Sequence, residues 1–234
     1  MSHSVENIVK YLHQSNLQYK QVQAAGLGQR LITLREWQCR RLIASHSDIF
    51  QIPRFKPAIQ FFIDELYGPK DFTKRDKDIA RVVPKMQKWL PSEALESLEV
   101  AIHLNTLSQE LDIAMLDQLQ DAPLCNETYA QAYRDCDNKA QRELQIDSIE
   151  QLGIDLKKVV DITGISMILR MARTPAKLAG LETLQAFLED GFNAFKRIGK
   201  IEDFIVPVVQ REREIMEGIL NNENVLPEAT QSVS

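Results

Sequence analysis

Several polar side chains fall where helical spacing places them among apolar residues, and these are the groups that could do chemistry. At about 100° per residue, the side chains of a surface helix divide into a polar and an apolar arc. The polar residues inside apolar arcs are Glu65, Asp112, Glu212, Arg35, Arg142, His46, Asn105 and Gln145. An unpaired buried charge is too costly to persist, so these groups must meet one another, water, a metal or a ligand.

Two interpretations of this polar set stay open. In the first, the three acids pair with the two arginines in a buried salt-bridge network that ties the helices together, and the near balance of charge favours it. In the second, the side chains converge on a polar pocket within the bundle. The carboxylates and His46 could bind a hard cation or iron. The arginines would repel a cation and suit an anionic ligand instead. The network is the preferred interpretation.

Other charged residues are assigned to solvated faces. Glu99 and His103 lie four residues apart on the polar side of their helix, together with Glu96, Glu110 and Asp117, and Arg40 and Arg41 form an isolated basic pair. The repeated Glu-x-x-His spacing of di-iron bundles is missing. So are a glycine-rich phosphate loop, a Gly-x-Ser-x-Gly elbow and a His-Glu-x-x-His motif. The sequence therefore predicts no catalytic residue and no dedicated metal ligand, and it leaves any cofactor unknown.

Helical periodicity runs through nearly the whole chain and predicts an all-α protein. A first helix begins near Ser4, and further helices follow over about residues 29–49, 57–67, 73–90, 92–120 and 127–160, the last with an interruption near Gly153. No segment has the pattern of a strand. We therefore expect a single compact multi-helix bundle of about eight to ten helices over residues 1–222, with a disordered tail over residues 223–234.

The last third of the chain gives three more specific expectations. Residues 165–172 are apolar on nearly all sides, which predicts a central core helix. Thr174 and Pro175 are typical of a helix start and predict that the chain begins a new helix there. The helices over residues 181–198 and 201–220 are joined by a very short connection, which predicts an antiparallel hairpin.

Composition restricts the class of partner and the compartment. The 234 residues are 44% hydrophobic and 26% charged, with a net charge of −5, so neither nucleic acid nor a membrane is an expected partner. Three cysteines without Cys-x-x-Cys spacing indicate neither a disulfide framework nor a zinc site. No signal peptide and no run of about 20 apolar residues is present, so we expect a cytoplasmic protein.

Residues 61–67, Phe-Phe-Ile-Asp-Glu-Leu-Tyr, resemble the motif that names the FFLEELY-motif proteins, an uncharacterised bacterial group. Ile63 replaces a leucine of that motif and Asp64 replaces a glutamate. The segments around residues 68–76, 104–112 and 179–185 are also similar, and the resemblance runs from about Gly28 to Glu217. It implies a bacterial source and agrees with the helical pattern of the chain. It implies no activity, but its motif places a glutamate at position 65, where helical spacing puts Glu65 inside the core.

The favoured function is non-enzymatic, and an enzyme is the alternative. We expect a helical protein that binds a protein partner, a second copy of itself as a homodimer, or a small ligand. The alternative is a metal-dependent oxidoreductase, similar to haem-oxygenase-like di-metal bundles, that uses the inward carboxylates with His46. That alternative requires those side chains to converge at coordination distance.

Overall fold

The helical periodicity takes the form of eleven α-helices in the computed structural model, which describes residues 3–67, 73–86 and 91–228. Within those ranges there is no strand, and the predicted all-α class is confirmed. The six-residue segment Phe62–Tyr67 forms a π-helical turn. The α-helices are α1 His3–Ala24, α2 Gly28–Ser45, α3 Ser47–Phe50, α4 Lys56–Phe61, α5 Thr73–Met86, α6 Ser92–Leu119, α7 Asn126–Asp135, α8 Lys139–Asp161, α9 Ile165–Leu178, α10 Glu182–Lys196 and α11 Glu202–Leu220.

The longest helix, α6, forms the axis of the bundle. It packs against α1, α2, α7 and α8, and it has buried residues on more than one side, among them Leu104, Leu111 and Met115. A second group of helices, α4, α8 and α9, surrounds α10, whose Phe195 is fully buried. α11 closes the bundle against α7 and α8. A shared core of apolar side chains therefore joins the beginning and the end of the chain.

The polar side of α6, predicted as a solvated face, is only partly solvated, because α1 packs along it at Glu99, His103 and Glu110. Glu96 and Asp117 are exposed, as predicted. Asn7 donates a hydrogen bond to Glu99 at 2.7 Å, and Gln14 donates one to Glu110 at 2.5 Å. The ring of His103 stacks on Tyr11, with centroids 4.6 Å apart. Uncharged amide donors on α1 thus complement the carboxylates of α6.

Several predicted helix boundaries are wrong. The second predicted helix divides at His46 into α2 and α3, and the helix predicted over 127–160 divides at residues 136–138 rather than at Gly153. Gly153 stays helical and buried, since a Cβ there would lie 3.0 Å from Ile205 of α11. The structure therefore has more and shorter helices than the eight to ten expected. Residues 87–90, assigned to the fourth helix, lie outside the described residues.

The segment predicted as a central core helix is instead a surface helix. α9 continues through Thr174 and Pro175 to Leu178, and Ile165 is its only buried residue. Met171 and Leu178 are 70% and 85% exposed. The cause is that α9 packs mainly on α10, along one side, while three basic residues spread along its other faces need water. A surface position also tolerates Pro175, because water can bond the carbonyl that loses its helical donor.

The predicted hairpin of the last two helices is also wrong. α10 packs on α4, α5, α8 and α9, whereas α11 packs on α7 and α8, and these two helices do not pack along each other in the described part of the chain. Gly199, in the turn between them, has a φ of +79°. The short connection therefore changes the direction of the chain between α10 and α11 without pairing the two helices.

The expected disordered tail begins too early at residue 223. Val225 lies against Gly218 of α11, Leu226 is only 8% exposed, and Asn126 donates a hydrogen bond to the carbonyl of Pro227 at 3.2 Å. The chain after α11 thus folds back onto the start of α7. Residues 229–234 lie outside the described residues.

Removing residues 223–234 should therefore destabilise the fold. The truncated chain loses the burial of Leu226 and the Asn126–Pro227 hydrogen bond, which together should lower the free energy of unfolding by about 2–4 kcal/mol. Urea denaturation monitored by circular dichroism measures this. A chain that ends at residue 228 keeps every described contact and is the matched control. Equal stability of the two truncations would contradict the packing of the segment.

Candidate functional site

A buried ionic cluster joins α2 to α11. Arg41 of α2 contacts both carboxylate oxygens of Glu212 on α11, at 2.5 and 2.6 Å. The Nε2 atom of His46, at the α2–α3 junction, lies 2.7 Å from Glu212 Oε1. His46 is 1% exposed, and the Arg41 and Glu212 side chains are 10% and 14% exposed. Two basic side chains therefore face one carboxylate in a site that is nearly closed to water.

The cluster keeps Glu212 ionised. Burial by itself would raise the pKa of this carboxyl, but the charge of Arg41 and hydrogen bonds from His46 and Arg41 together lower the pKa of Glu212 to about 2. The opposing charge outweighs the desolvation because Arg41 meets both oxygens. The sequence analysis placed Glu212 in the interior but assigned Arg41 to a solvated basic pair, which is wrong. Arg41 follows Leu34 by seven residues and Trp37 by four, and that spacing indicates their buried face.

A second ion pair joins α2 to α6. Arg35 Nε lies 2.8 Å from Asp112 Oδ2, and Asp112 is 3% exposed. Cys39 lies in the same region, and burial together with the charge of Asp112 raises the pKa of its thiol to about 11. Two of the inward acids are thus paired with arginines of α2, as the salt-bridge interpretation requires of them.

Arg142 of α8 differs from these arginines because no described carboxylate pairs with it. It is 4% exposed, and its guanidinium lies over the ring of Tyr133, 4.4 Å from the centroid. Its Nε and Nη2 atoms are buried and make no hydrogen bond to any described residue. The cation is therefore stabilised by an aromatic face while one edge of the guanidinium keeps open donors.

These groups meet at an internal cavity of about 140 Å³. Its wall is built from seven of the helices and the π-helical turn, and most of its lining residues are apolar, such as Leu104, Ile146 and Val208. The polar lining residues are Arg41, His46, Asn105, Ser108, Tyr129, Tyr133, Arg142, Gln145 and Glu212. The charged lining residues are Arg41, Arg142 and Glu212, and His46 contacts Glu212 as well. The Arg35–Asp112 pair does not line the cavity. The wall therefore carries more positive than negative groups.

Most of the predicted polar set lines this cavity, and the remainder lies elsewhere. Gln145 donates a hydrogen bond to Ser108 at 2.8 Å, and Asn105 lines the cavity without a side-chain hydrogen bond to any described residue. Glu65 is half-buried and is not among the lining residues, so it does not join the other acids. It lies in the π-helical turn Phe62–Tyr67, where the angle between successive residues differs from that of the α-helical wheel.

The sequence analysis missed Tyr129 and Tyr133, which are major parts of the wall. They lie four residues apart on one face of α7, 2% and 8% exposed, and Tyr129 stacks on Trp37 with centroids 4.2 Å apart. Burial raises the pKa of both hydroxyls, so they stay protonated. An aromatic pair at this helical spacing was the available signal for their burial.

The residues that resemble the FFLEELY motif meet a buried arginine. Arg75 of α5 donates a hydrogen bond to the backbone carbonyl of Glu65 and pairs with Asp76 at 2.9 Å. It also lies over the ring of Phe187, 5.1 Å from the centroid. Arg75 therefore holds the π-helical turn, whose first residue, Phe62, lines the cavity. π-Helical turns occur often at functional sites.

The side chains do not converge as the oxidoreductase alternative requires. Among residues 3–67, 73–86 and 91–228, no three histidine, cysteine, aspartate or glutamate side chains are grouped so that they could hold a metal. Asp112 and Glu212 each face an arginine, and a nearby arginine repels a cation. The described residues thus give the metal hypothesis no geometric support.

The fold and site define an all-α bundle with an internal, mostly apolar cavity and basic groups on its wall. The chain belongs to the family described as a domain of unknown function, DUF8198, which matches residues 17–225. No curated protein and no solved structure shows significant similarity to the chain. Within the described residues, no helix is both long and apolar enough to cross a membrane. The three cysteines are free thiols.

Replacing Glu212 by glutamine should strongly destabilise the fold, because it removes the negative charge that Arg41 and His46 both contact. Breaking a buried pair on one side costs about 3–5 kcal/mol, and we expect a loss of about 3 kcal/mol at pH 7, measured by urea denaturation. Glu214→Gln changes an exposed residue of the same helix and should leave stability within about 0.5 kcal/mol of wild type. Similar small effects of both substitutions would contradict the structural role of the cluster.

The stability difference between wild type and Glu212→Gln should also depend on pH. The pKa of Glu212 lies near 2 in the folded state, below its ordinary value of 4.5. The unfolded state therefore takes up the proton first, so the stabilisation is complete above about pH 5 and is lost as the pH falls towards 2. Denaturation curves between pH 7 and pH 3 should show the two proteins becoming more alike. A constant difference over that range would be inconsistent with a lowered pKa.

Proposed function

We propose that the protein binds a small ligand with an apolar body in the cavity at the centre of the bundle. The cavity itself carries this proposal. Natural cores are close-packed and have few voids larger than a water molecule, so a space of about 140 Å³ among the helices is a departure that ligand binding explains. A cavity of about 150 Å³ lined by apolar side chains is large enough to bind benzene.

The composition of the wall agrees with the general pattern of ligand sites. Such pockets are lined mainly by apolar and aromatic side chains, with a few polar groups that fix the orientation of the ligand. Here Leu104, Ile146 and Val208 supply apolar surface, and Tyr129 and Tyr133 supply aromatic surface. The ion pairs around the cavity join separate helices, which favours a wall that is already formed before a ligand enters. Binding without a chemical step is the proposed activity.

Toluene is a suitable neutral probe because it matches the size of the cavity and makes no polar demand. At a concentration about ten times its dissociation constant, it should stabilise the protein by about 1.4 kcal/mol and raise the melting temperature by roughly 3 °C. Thermal unfolding monitored by circular dichroism measures the shift. No shift at saturation would argue against a cavity that accepts apolar ligands.

Ala101→Leu is the corresponding cavity-filling variant. Ala101 lines the cavity, so the larger side chain should enter the void, keep the stability within about 1 kcal/mol and abolish the toluene response. Ala186→Leu makes the same change at an exposed position of α10 and should leave the response intact. Loss of about 1–3 kcal/mol from Ala101→Leu, with an unchanged toluene response, would indicate that this position is already close-packed and that toluene binds elsewhere.

Binding of a protein partner by α9 is a second candidate function, favoured by the exposed side of that helix. Met167, Met171 and Leu178 are 56%, 70% and 85% exposed and lie on one stripe. α9 contains three basic residues and no acid, and neither Arg170 nor Lys177 pairs with a described carboxylate. We therefore expect a partner with an apolar stripe edged by acids. A second copy is disfavoured, since two α9 helices would bring like charges together.

Met171→Asp tests this second candidate function. A labelled helical peptide with leucine at heptad positions and glutamate elsewhere should bind the wild-type protein, and the variant should bind it roughly tenfold more weakly. A lysine counterpart of the peptide is the control and should not bind. Fluorescence anisotropy measures binding, and sedimentation tests for self-association. A concentration-dependent homodimer that Met171→Asp disrupts would overturn the acidic-partner assignment.

A further inference from the structure

Arg142 gives the cavity a preference of charge that the apolar lining does not predict. It is 4% exposed, it lies on the cavity wall, and its guanidinium lies over the ring of Tyr133. Burying an arginine without a counter-ion is unfavourable, and replacement by an apolar residue is often neutral or stabilising. By contrast, two arginines of α2 each pair with a carboxylate: Arg35 pairs with Asp112, and Arg41 pairs with Glu212.

The open donors of Arg142 have a defined geometry. Its unpaired atoms are Nε and Nη2, which form one edge of the planar guanidinium and point in parallel. Elsewhere in this chain, Arg173 uses this same edge to contact the two carboxylate oxygens of Glu189, at 2.6 and 2.7 Å. That edge of Arg142 has no such partner among the described residues, and because it has almost no accessible surface, its side chain must move towards the cavity to make the same paired contact with a carboxylate from outside the chain.

The remainder of the wall is consistent with one added negative charge. Arg41 is already paired with the carboxylate of Glu212, so the excess cation of the wall is Arg142. The Asn105 amide also lines the cavity and can donate a further hydrogen bond. The apolar part of the wall, which includes Leu104 and Ile146, would receive the rest of the molecule.

We infer that the ligand is a small monocarboxylate with an aromatic or branched aliphatic body, and that Arg142 is its counter-ion. The inference rests on the proposed function, since it assigns the ligand class of the same cavity. The carboxylate pairs with the Arg142 guanidinium, and the apolar body fills the cavity. One negative charge then balances the excess cation, and the volume of about 140 Å³ restricts the body to about the size of one ring.

Benzoate and benzamide are the matched probes, because they have nearly the same shape and differ in charge. Isothermal titration calorimetry on the full chain should show benzoate binding roughly tenfold or more tightly than benzamide, since a hydrogen bond to a charged partner is the stronger one. Formate carries the carboxylate without the body and should bind much more weakly than benzoate. Equal affinity for benzoate and benzamide, or for benzoate and formate, would overturn the assignment.

Arg142→Met and Arg142→Lys test whether Arg142 causes the preference for benzoate over benzamide. The methionine variant should keep its response to toluene and lose the preference for benzoate to within about twofold. The lysine variant keeps the positive charge but loses the planar, two-pronged set of guanidinium donors, so it should show an intermediate preference. It also provides the test if the methionine variant fails to fold. Arg213→Met removes a half-buried arginine of α11 that does not line the cavity, and it should leave the preference unchanged. An undiminished benzoate preference in Arg142→Met would overturn the role of Arg142.

Toluene separates the two levels of the proposal. If toluene stabilises the protein and benzoate shows no advantage over benzamide, the cavity binds ligands but the carboxylate assignment is wrong. If neither toluene nor benzoate binds to the wild-type chain, the proposed function itself is wrong. Binding of both, with Arg142 needed for benzoate alone, is the expected result.

Discussion

The contact on which the rest of the bundle depends is the buried pair of Arg41 and Glu212. It joins α2 to α11, helices that are separated by most of the sequence, and it places a full charge on each side of a region closed to water. A pair of this kind adds little net stability when complete and is very costly when half-broken. The pair therefore acts mainly by selecting one arrangement of the helices, because any arrangement that separates α2 from α11 breaks the contact between these two charges.

The cavity follows from this arrangement of charges. Glu212 is held by Arg41 and His46, and both basic groups approach from the α2 side, so this ionic cluster occupies one part of the wall. Apolar side chains from α6, α8 and α11 form much of the rest, together with Asn105, Ser108, Arg142 and Gln145. An apolar core could close around a void by shifting its side chains, but an ion pair with defined hydrogen bonds resists such a shift. A polar constraint thus accounts for an open space in an otherwise close-packed bundle.

Helical periodicity was sufficient to predict the fold class and the interior position of several polar groups. Asp112, Arg142 and His46 are all buried where the spacing of their helices placed them. Their partners could not be derived from spacing, because Arg35 and Asp112 are 77 residues apart and their contact depends on how α2 crosses α6. The wheel itself failed at Glu65, since the π-helical turn does not keep the α-helical angle.

The segment over residues 165–178 shows a different limit of sequence patterns. An apolar composition predicts burial only if another element is free to cover it, and α10 covers α9 along one side only. Arg142 illustrates the reverse case, in which a charged residue lies in the interior without a carboxylate from its own chain. Folding stability alone does not explain the apolar stripe of α9 or the position of Arg142. An exposed apolar stripe and a buried cation without a carboxylate both cost free energy in the isolated chain. Each would become favourable once a second molecule covers it, and this is the physical basis of the two binding proposals.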